Sequence, residues 1–429
     1  MGNHGRRCDE AGKKIVFVNR YFFPDESATS RMLSDLAFRL ARQGLSVSIV
    51  TSRQLYGNAG AALDPLQIVD GVTVHRVFTA TFGRSKLLGR ALDYGSFHVA
   101  AAIALLRILR RGDVVVAKTD PPLISVVASL VAAWKGARLV NWLQDLFPEV
   151  AAALAPNALP SLLTGLLVAA RDSSLRRAVV NVVLSERMRQ RLLARKINSG
   201  RILIVPNWTD THHVVPQPAH SSETRHKLGL MARFVVGYSG NLGRAHEFET
   251  LLGAARLLQT DRRFVFLMTG GGARAGGLRI AAQTEGLDSF LFQDYQPREL
   301  LSDSLAASDV HLVTLLPALE GLIVPSKIYG ILAAGRPTVF IGDVDGEIAG
   351  LLREHECGVA VATGDSGRLA AELRELADDR DRCAVLGNNA RQLALARYTS
   401  EHAVAAWLQL LNSMAPSAID ADTERSATL

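Results

Sequence analysis

Short β-branched runs alternate with longer stretches of helical spacing along most of this chain. Ile15–Val18 reads as a strand, and the apolar set after it, Leu33, Leu36, Ala37 and Leu40, falls at i, i+3, i+4 and i+7. That spacing is one face of a helix. Gly44 ends the helix and Val47–Val50 resumes as a strand. The same pulse recurs at Val72–Val77, Val114–Ala117, Leu139–Trp142, Val179–Val183 and Ile202–Val205. A proline- and histidine-rich stretch, 206–222, interrupts it and predicts a connector. The rhythm restarts at Phe234–Tyr238, Phe264–Met268, Val310–Leu315, Thr338–Ile341 and Val359–Ala362.

Strands that alternate with helices predict parallel sheets covered on both faces. The fold class is therefore α/β, with two doubly wound units in tandem. The first is expected over 14–206, a connector over 207–232 and the second unit over 233–395. A last helix over 396–414 is free to cross back to the first unit, and the polar tail 415–429 is expected to be disordered. Tandem units of this kind enclose a cleft, and ligands sit at the carboxyl ends of the strands. The loops after Val18, Trp142, Tyr238, Met268 and Leu315 thus become the places to look for chemistry.

Composition agrees with large cores: 48% of the 429 residues are hydrophobic and 21% charged, which excludes a disordered chain. The net charge of +7 is unevenly placed. Between Arg171 and Arg201 nine basic residues face two acidic ones, so 31 residues account for the whole excess. Such a segment suits an anionic surface or, equally, a solvated helix face. No zinc-finger or ribonucleoprotein signature accompanies it, which favours phospholipid and argues against nucleic acid. Cys8, Cys357 and Cys383 are too few and too scattered for a disulfide framework or a metal site, as expected in a reducing cytoplasm. The polar N-terminus is unlike a secretory signal, and Arg6 stands where a myristoylation site wants Ser or Thr. The charge-free run Val150–Ala170 is broken by Pro156 and Pro160, leaving about ten apolar residues where a bilayer crossing needs ~20. Peripheral attachment to a membrane is compatible with this; spanning is not expected.

Three stretches carry candidate chemistry. Ser239-Gly240-Asn241-Leu242-Gly243-Arg244 follows a strand, and its glycines would let N–H groups approach a phosphate that Arg244 neutralises. An ordinary glycine turn is the plain alternative. Thr269-Gly270-Gly271-Gly272-Ala273-Arg274-Ala275 also follows a strand, but lies too late in the chain for a dinucleotide fingerprint. No P-loop is present. The third stretch runs from Glu320-Gly321-Leu322-Ile323-Val324-Pro325-Ser326-Lys327 to Ala333-Ala334-Gly335-Arg336-Pro337. Pro325 suits the start of a helix, and Lys327 then stands in a first turn whose dipole prefers anions. Lysine is scarce here, eight against forty arginines. A cation in that position makes sense if an anion bridges it and the helix N-terminus; a lysine pointing to solvent is the alternative.

Taken in order, these stretches resemble the family 4 retaining glycosyltransferases. The likeness is to the bacterial O-antigen, capsule and exopolysaccharide branch, fucosamine transferase-like, and covers residues 14–410. Supporting pieces are Tyr21-Phe22-Phe23-Pro24 with Glu26, Gln144-Asp145-Leu146-Phe147-Pro148-Glu149, Val205-Pro206-Asn207 and Tyr295-Gln296-Pro297-Arg298-Glu299-Leu300. The resemblance implies two tandem Rossmann-like domains facing across a cleft, the B-type glycosyltransferase fold. The first would receive the acceptor and the second a nucleotide sugar, with UDP as nucleotide.

By the same resemblance Lys327 and Arg244 would stabilise the departing diphosphate and Glu320 would position the sugar. The donor site would be completed by Gly240, Asn241, Leu242, Gly243, Gly270, Gly271, Tyr295, Gly321, Leu322, Ile323 and Ser326. Glu26, Ser27, Asp145 and Glu149 are the acceptor candidates, although Glu26 and Asp145 equally suit capping of the helices that follow them. The chain departs from the family pattern where a second glutamate is expected: Ile328 stands eight residues after Glu320, and alignment from Gly335 puts Gly330 there. Asn241 and His246 replace the family's pyrophosphate-binding cations, and Gln144 stands where many members have histidine.

No DxD-like metal pair lies beside the donor loops, so the expected transfer is metal-independent and cofactor-free, onto hexosyl or N-acetylhexosaminyl chemistry. The apolar segment Ser161–Ala170 with the basic run suggests an anionic membrane surface, where a polyprenyl-diphosphate-linked acceptor would lie at the inner face of the cytoplasmic membrane. A non-catalytic nucleotide-sugar-binding or scaffold subunit of a polysaccharide complex is the alternative. An oxidoreductase or epimerase is disfavoured, because Asn19–Pro24 after the first strand contains no glycine.

Overall fold

The computed structural model describes residues 13–56, 60, 62–82, 87–156 and 160–414. Cys8, Arg6 and the tail 415–429 lie outside the described residues.

In chain order the first unit holds β1 (Ile15–Val18), α1 (Ala28–Arg42), β2 (Val47–Ser52), β3 (Leu66–Val69), β4 (Val72–Val77), α2 (Leu87–Ile108) and β5 (Val114–Lys118). It continues with α3 (Ile124–Lys135), β6 (Arg138–Trp142), α4 (Glu149–Leu154), α5 (Ser161–Arg177), β7 (Val180–Val183), α6 (Glu186–Ala194) and β8 (Ile202–Ile204). The strands form one sheet in the order β3-β4-β2-β1-β5-β6-β7-β8. The side-chain period of two divides β1 between two cores. Ile15 and Phe17 pack with Leu33, Leu36 and Leu40 of α1 on one face. Val16 and Val18 pack with Phe97 and Ala101 of α2 and Ala128 of α3 on the other. Burial on both faces is why the strand reads as an unbroken apolar run.

The sheet departs from the purely parallel expectation at one edge. β3 pairs antiparallel with β4, through Asp70 and Gly71 at φ 47° and 80°. Two left-handed residues make the two-residue hairpin turn, and Asp-Gly is its usual sequence. That dipeptide was the available signal.

The second unit holds α7 (Glu223–Lys227), β9 (Phe234–Ser239), α8 (Glu249–Leu257), β10 (Phe264–Thr269), α9 (Ala275–Thr284), β11 (Phe290–Gln293), α10 (Leu301–Ala306) and β12 (Val310–Thr314). α11 (Lys327–Ala333), β13 (Thr338–Gly342), α12 (Glu347–Glu354), β14 (Gly358–Ala362), α13 (Ser366–Asp378) and α14 (Arg380–Arg397) complete it. Its sheet, β11-β10-β9-β12-β13-β14, is parallel throughout. The edge strand β11 escapes sequence reading because only Phe290 in it is buried, so it lacks the unbroken apolar run of a strand covered on both faces.

α15 (Ser400–Ser413) leaves the second unit and packs on α1 of the first. Trp407 is fully buried there, its ring centroid 5.0 Å from Trp142 and 6.1 Å from Phe17. The segment between the units is tied down as well. Trp208 Nε1 donates to Asp35 at 2.6 Å, and Arg391 of α14 donates to the carbonyls of Thr211, Val214 and Ala333.

Candidate active site

The strand ends of the second unit build a compact cationic pocket. Gly240 follows β9 at φ 124°, and Gly270 and Gly272 follow β10 at φ 127° and 138°, a backbone region open mainly to glycine. The two loops press together: a Cβ on Gly270 would lie 2.2 Å from the Gly240 carbonyl oxygen, and one on Gly272 2.3 Å from Asn241 Oδ1. Backbone bonds lock them, Gly240 N to Thr269 O at 2.9 Å and Leu242 N to Gly271 O at 2.7 Å. Tyr295, 59% exposed, lies against Gly270 and Gly271 and donates to the Gly271 carbonyl.

Lys327 opens α11, one residue after an exposed Ser326. Its Nζ is buried, has no hydrogen-bond partner, and sits 3.4 Å from the centroid of the Tyr238 ring. Burial pushes the ammonium pKa well below its ordinary value. His246 lies beside it, with Nδ1 2.7 Å from the Thr314 carbonyl. A carbonyl only accepts, so Nδ1 carries the proton and Nε2 keeps its lone pair. Burial first, then the cations Lys327 and Arg274, push this imidazole down to about 3, so it is neutral at physiological pH. Arg244 and Arg274 frame a cavity of about 420 Å³ with Ala273 and Leu316, closed from the first unit by Ala153 and Leu154 of α4. The cleft between the units is therefore lined by cations on the second unit's side.

Glu320 stands apart from this cluster. It is 8% exposed, and its Oε1 accepts from Glu347 N at 2.8 Å, at the N-terminus of α12. Burial raises its pKa; that backbone hydrogen bond lowers it less. Its carbonyl accepts from Arg191 of α6 at 2.9 Å. The next three residues turn to the first unit: Gly321, at φ 72°, packs on the Arg187 backbone, Leu322 O accepts from Leu146 N at 3.0 Å, and Ile323 bridges Asp145. Their backbone joins the two units.

On the first unit's side Asp145 has a buried carboxyl whose Oδ1 lacks a partner, beside a small cavity also lined by Lys118, Thr119 and Arg171. Burial, then the Asp120 carboxylate, push its pKa up to about 7. Glu149 is held by the Arg171 guanidinium through both oxygens. Glu26 is exposed and paired with Arg31 at 3.0 Å. Ser27 is the N-cap of α1 but makes no side-chain cap, and its buried Oγ has no partner. Neither Glu26 nor Asp145 caps the following helix.

Residues 27–208 match the glycosyl transferase 4-like domain and residues 233–379 the glycosyl transferases group 1 domain. The chain belongs to the family 4 glycosyltransferases. "Probable glycosyltransferase WbjE" of Pseudomonas aeruginosa is 28% identical over 299 residues, covering 69% of this chain and 74% of that protein. A glycosyl transferase named for colanic acid biosynthesis, WcaI of Escherichia coli (strain K12), is 25% identical over 360 residues, covering 81% and 88%. Among solved structures, Anabaena HepE with UDP and glucose superposes with a TM-score of 0.70 at 17% identity, covering 94% of this chain and all of that one. The two parallel-sheet domains are the B-type glycosyltransferase fold.

In this glycosyltransferase several site groups escaped sequence reading. Arg274 adds a cation to Arg244 and lay in plain view in the glycine-rich stretch. Lys118 ends β5 fully buried, with Nζ 2.9 Å from the Thr29 carbonyl and 3.8 Å over the Trp142 ring. A lysine directly after an apolar strand was its signal. Of the basic residues in the segment 171–201 only Arg171 is buried, but several of the exposed side chains are engaged by groups of the enzyme itself. Arg171 and Arg195 pair with the buried Asp172, while Arg187 and Arg191 reach the second unit at Asp345 and Glu320.

Asp145 gives a pH-dependent stability. Between 3.8 and about 7 the folded enzyme keeps a proton that the unfolded chain has lost. Stability therefore falls as pH rises through that window. Asp145→Asn is expected to flatten the fall and to raise the melting temperature at pH 8 more than at pH 4. Parallel melting curves across pH would contradict the buried carboxyl.

Proposed function

We propose that the enzyme moves a sugar from a UDP-sugar to a lipid-linked saccharide, as a step in making a bacterial surface glycan. The observation that carries this is the partnerless, buried Nζ of Lys327 beside the glycine loops. A buried ammonium without an anion is costly, and the donor diphosphate supplies one. Lys327 and Arg244, helped by Arg274, stabilise the charge that develops on the leaving group; the free oxygen of Glu320 is kept for a sugar hydroxyl. The bond between the anomeric carbon and the diphosphate oxygen breaks while a bond to the acceptor oxygen forms on the same face. The acceptor's hydroxyl proton leaves with the diphosphate, so configuration is retained and no carboxylate nucleophile is required.

The UDP in the HepE structure and the colanic acid in the name of WcaI support the choice of nucleotide and glycan class. The reaction we propose is metal-independent, with Lys327, Arg244 and Arg274 as the cations that answer the diphosphate. Asp145 and Ser27, with partnerless buried oxygens, are the acceptor-side residues we favour; Glu149 acts through Arg171 as a positioning residue. The acceptor would reach the cleft from the inner face of the cytoplasmic membrane.

A thermal-shift panel of UDP-, GDP- and dTDP-sugars tests the donor. UDP-sugars are expected to give the largest shift, and a strong shift with GDP-sugars alone would overturn the nucleotide. Turnover of a labelled UDP-sugar should survive EDTA; a chain that binds the donor without turning it over would be the scaffold subunit instead.

A further inference from the structure

The helices that cover one face of the first sheet leave a large apolar surface uncovered. α3 packs between α2 and α5. Val99 and Ile103 on α2 are 64% and 44% exposed, Leu130 and Trp134 on α3 57% and 76%, and Leu162 and Leu166 on α5 77% and 61%. Exposed apolar side chains on three neighbouring helices of one layer mark a candidate docking site. The opposite sides of α2 and α3 are committed to the core through Phe97, Ala101 and Ala128, each fully buried. The segment Gly89–Ile108 is long and apolar enough to cross a membrane by length and composition, yet in this fold it lies along the sheet.

The charges around the surface are one-sided. The only carboxylates on the three helices are Asp93 and Asp172, buried at 3% and 1% exposure. The three helices are crossovers between parallel strands, so they run in one direction and end together. Arg107, Arg110 and Arg111 at the end of α2, Lys135 at the end of α3 and Arg177 at the end of α5 gather there. The α2 and α3 ends touch: Gly112 N donates to Gly136 O at 2.9 Å, and a Cβ on Gly136 would lie 3.1 Å from Arg111 Cγ. None of these five side chains has an acidic partner among the described residues. Trp134 stands at the join of apolar and basic surface, the place where an amphipathic ring meets lipid headgroups.

We infer that the outer face of α2, α3 and α5 docks on an anionic phospholipid bilayer, with apolar side chains in the acyl boundary and the basic helix ends among the headgroups. A second copy of the chain would present the same acid-free face and leave those cations unanswered. The inference deepens the lipid-linked acceptor reading, on which its purpose rests, and it moves the membrane contact away from α6. That helix directs Arg187 and Arg191 to the second unit.

Trp134 is also the probe. The protein's other tryptophans, Trp142, Trp208 and Trp407, are 0%, 5% and 0% exposed. The full chain is mixed with phosphatidylcholine vesicles, with and without phosphatidylglycerol, and with a parallel set carrying brominated acyl chains. Phosphatidylglycerol is expected to tighten binding by at least about tenfold, and brominated chains to quench the emission. Trp134→Phe should bind and lose the quenching. Leu130→Glu with Trp134→Glu should bind at least about tenfold more weakly, with turnover of a soluble acceptor unchanged. Arg189→Glu on α6 with Lys196→Glu just after it should bind like the parent. Absent binding, binding without quenching, loss of binding in the α6 variant, or conversion of a dimer to a monomer by Trp134→Glu would overturn the surface. A chain that docks but turns over no nucleotide sugar would sink the transferase mechanism and leave the surface standing.

Discussion

Lys327→Met is expected to lower kcat by about 10²–10³-fold while raising the melting temperature. A fixed donor aimed at developing charge is worth ~3–4 kcal/mol in the transition state, which sets the size of the loss. The gain in stability comes from the ground state of the empty site, where Nζ is buried with no hydrogen bond and only the Tyr238 ring for company. A cation–π contact of this kind returns up to ~2 kcal/mol, less than the several kcal/mol that burying an ion costs. Methionine keeps the unbranched stem and the contact with the ring. The pH profile separates the two effects. Between its depressed folded pKa and 10.5, the unfolded chain holds a proton that the folded one has shed. Stability of the parent therefore rises with pH in that window, and in Lys327→Met that rise should vanish. The donor-induced thermal shift should shrink as well. Near-normal turnover in a folded variant would remove Lys327 from the mechanism.

Trp407→Ala is expected to cost ~3–5 kcal/mol of stability, the usual range for emptying a large aromatic site. Its ring fills the first unit's core against Trp142 and Phe17, although it belongs to the last helix of the chain. Urea denaturation followed by circular dichroism checks the magnitude. The donor-induced thermal shift should persist, because the glycine loops and Lys327 lie in the other unit. A cost below ~1 kcal/mol would mean that α15 docks loosely and that the first unit closes its core without it.

The strand positions were legible to within a residue or two where a strand is buried on both faces, as along β1, β5 and β12. The edge strands β3 and β11 were not, because they stay at least partly open to solvent and lack the unbroken apolar run that burial on both faces imposes. The glycine loops and Lys327 could be placed because local rules act on them: positive φ, close backbone approach and a helix start. Glu320 was expected beside the donor sugar on family likeness. Its surroundings, the N-terminus of α12 and the guanidinium of Arg191, come from segments about 27 and 129 residues away.

The apolar and charged pattern by itself determined two α/β units, the glycine loops at their strand ends and a lysine set against its helix dipole. Those follow from which residues must leave water and from local backbone geometry, both written in neighbouring positions. Tertiary structure alone decided which distant charges meet. It gave Glu149 to Arg171, Arg187 and Arg191 to the second unit, and Trp407 to the first. It also brought exposed apolar residues from three helices, too sparse to notice singly, onto one layer with cations at the helix ends. Burial is a property of each stretch of chain, whereas partnership is set by where the other stretches fold.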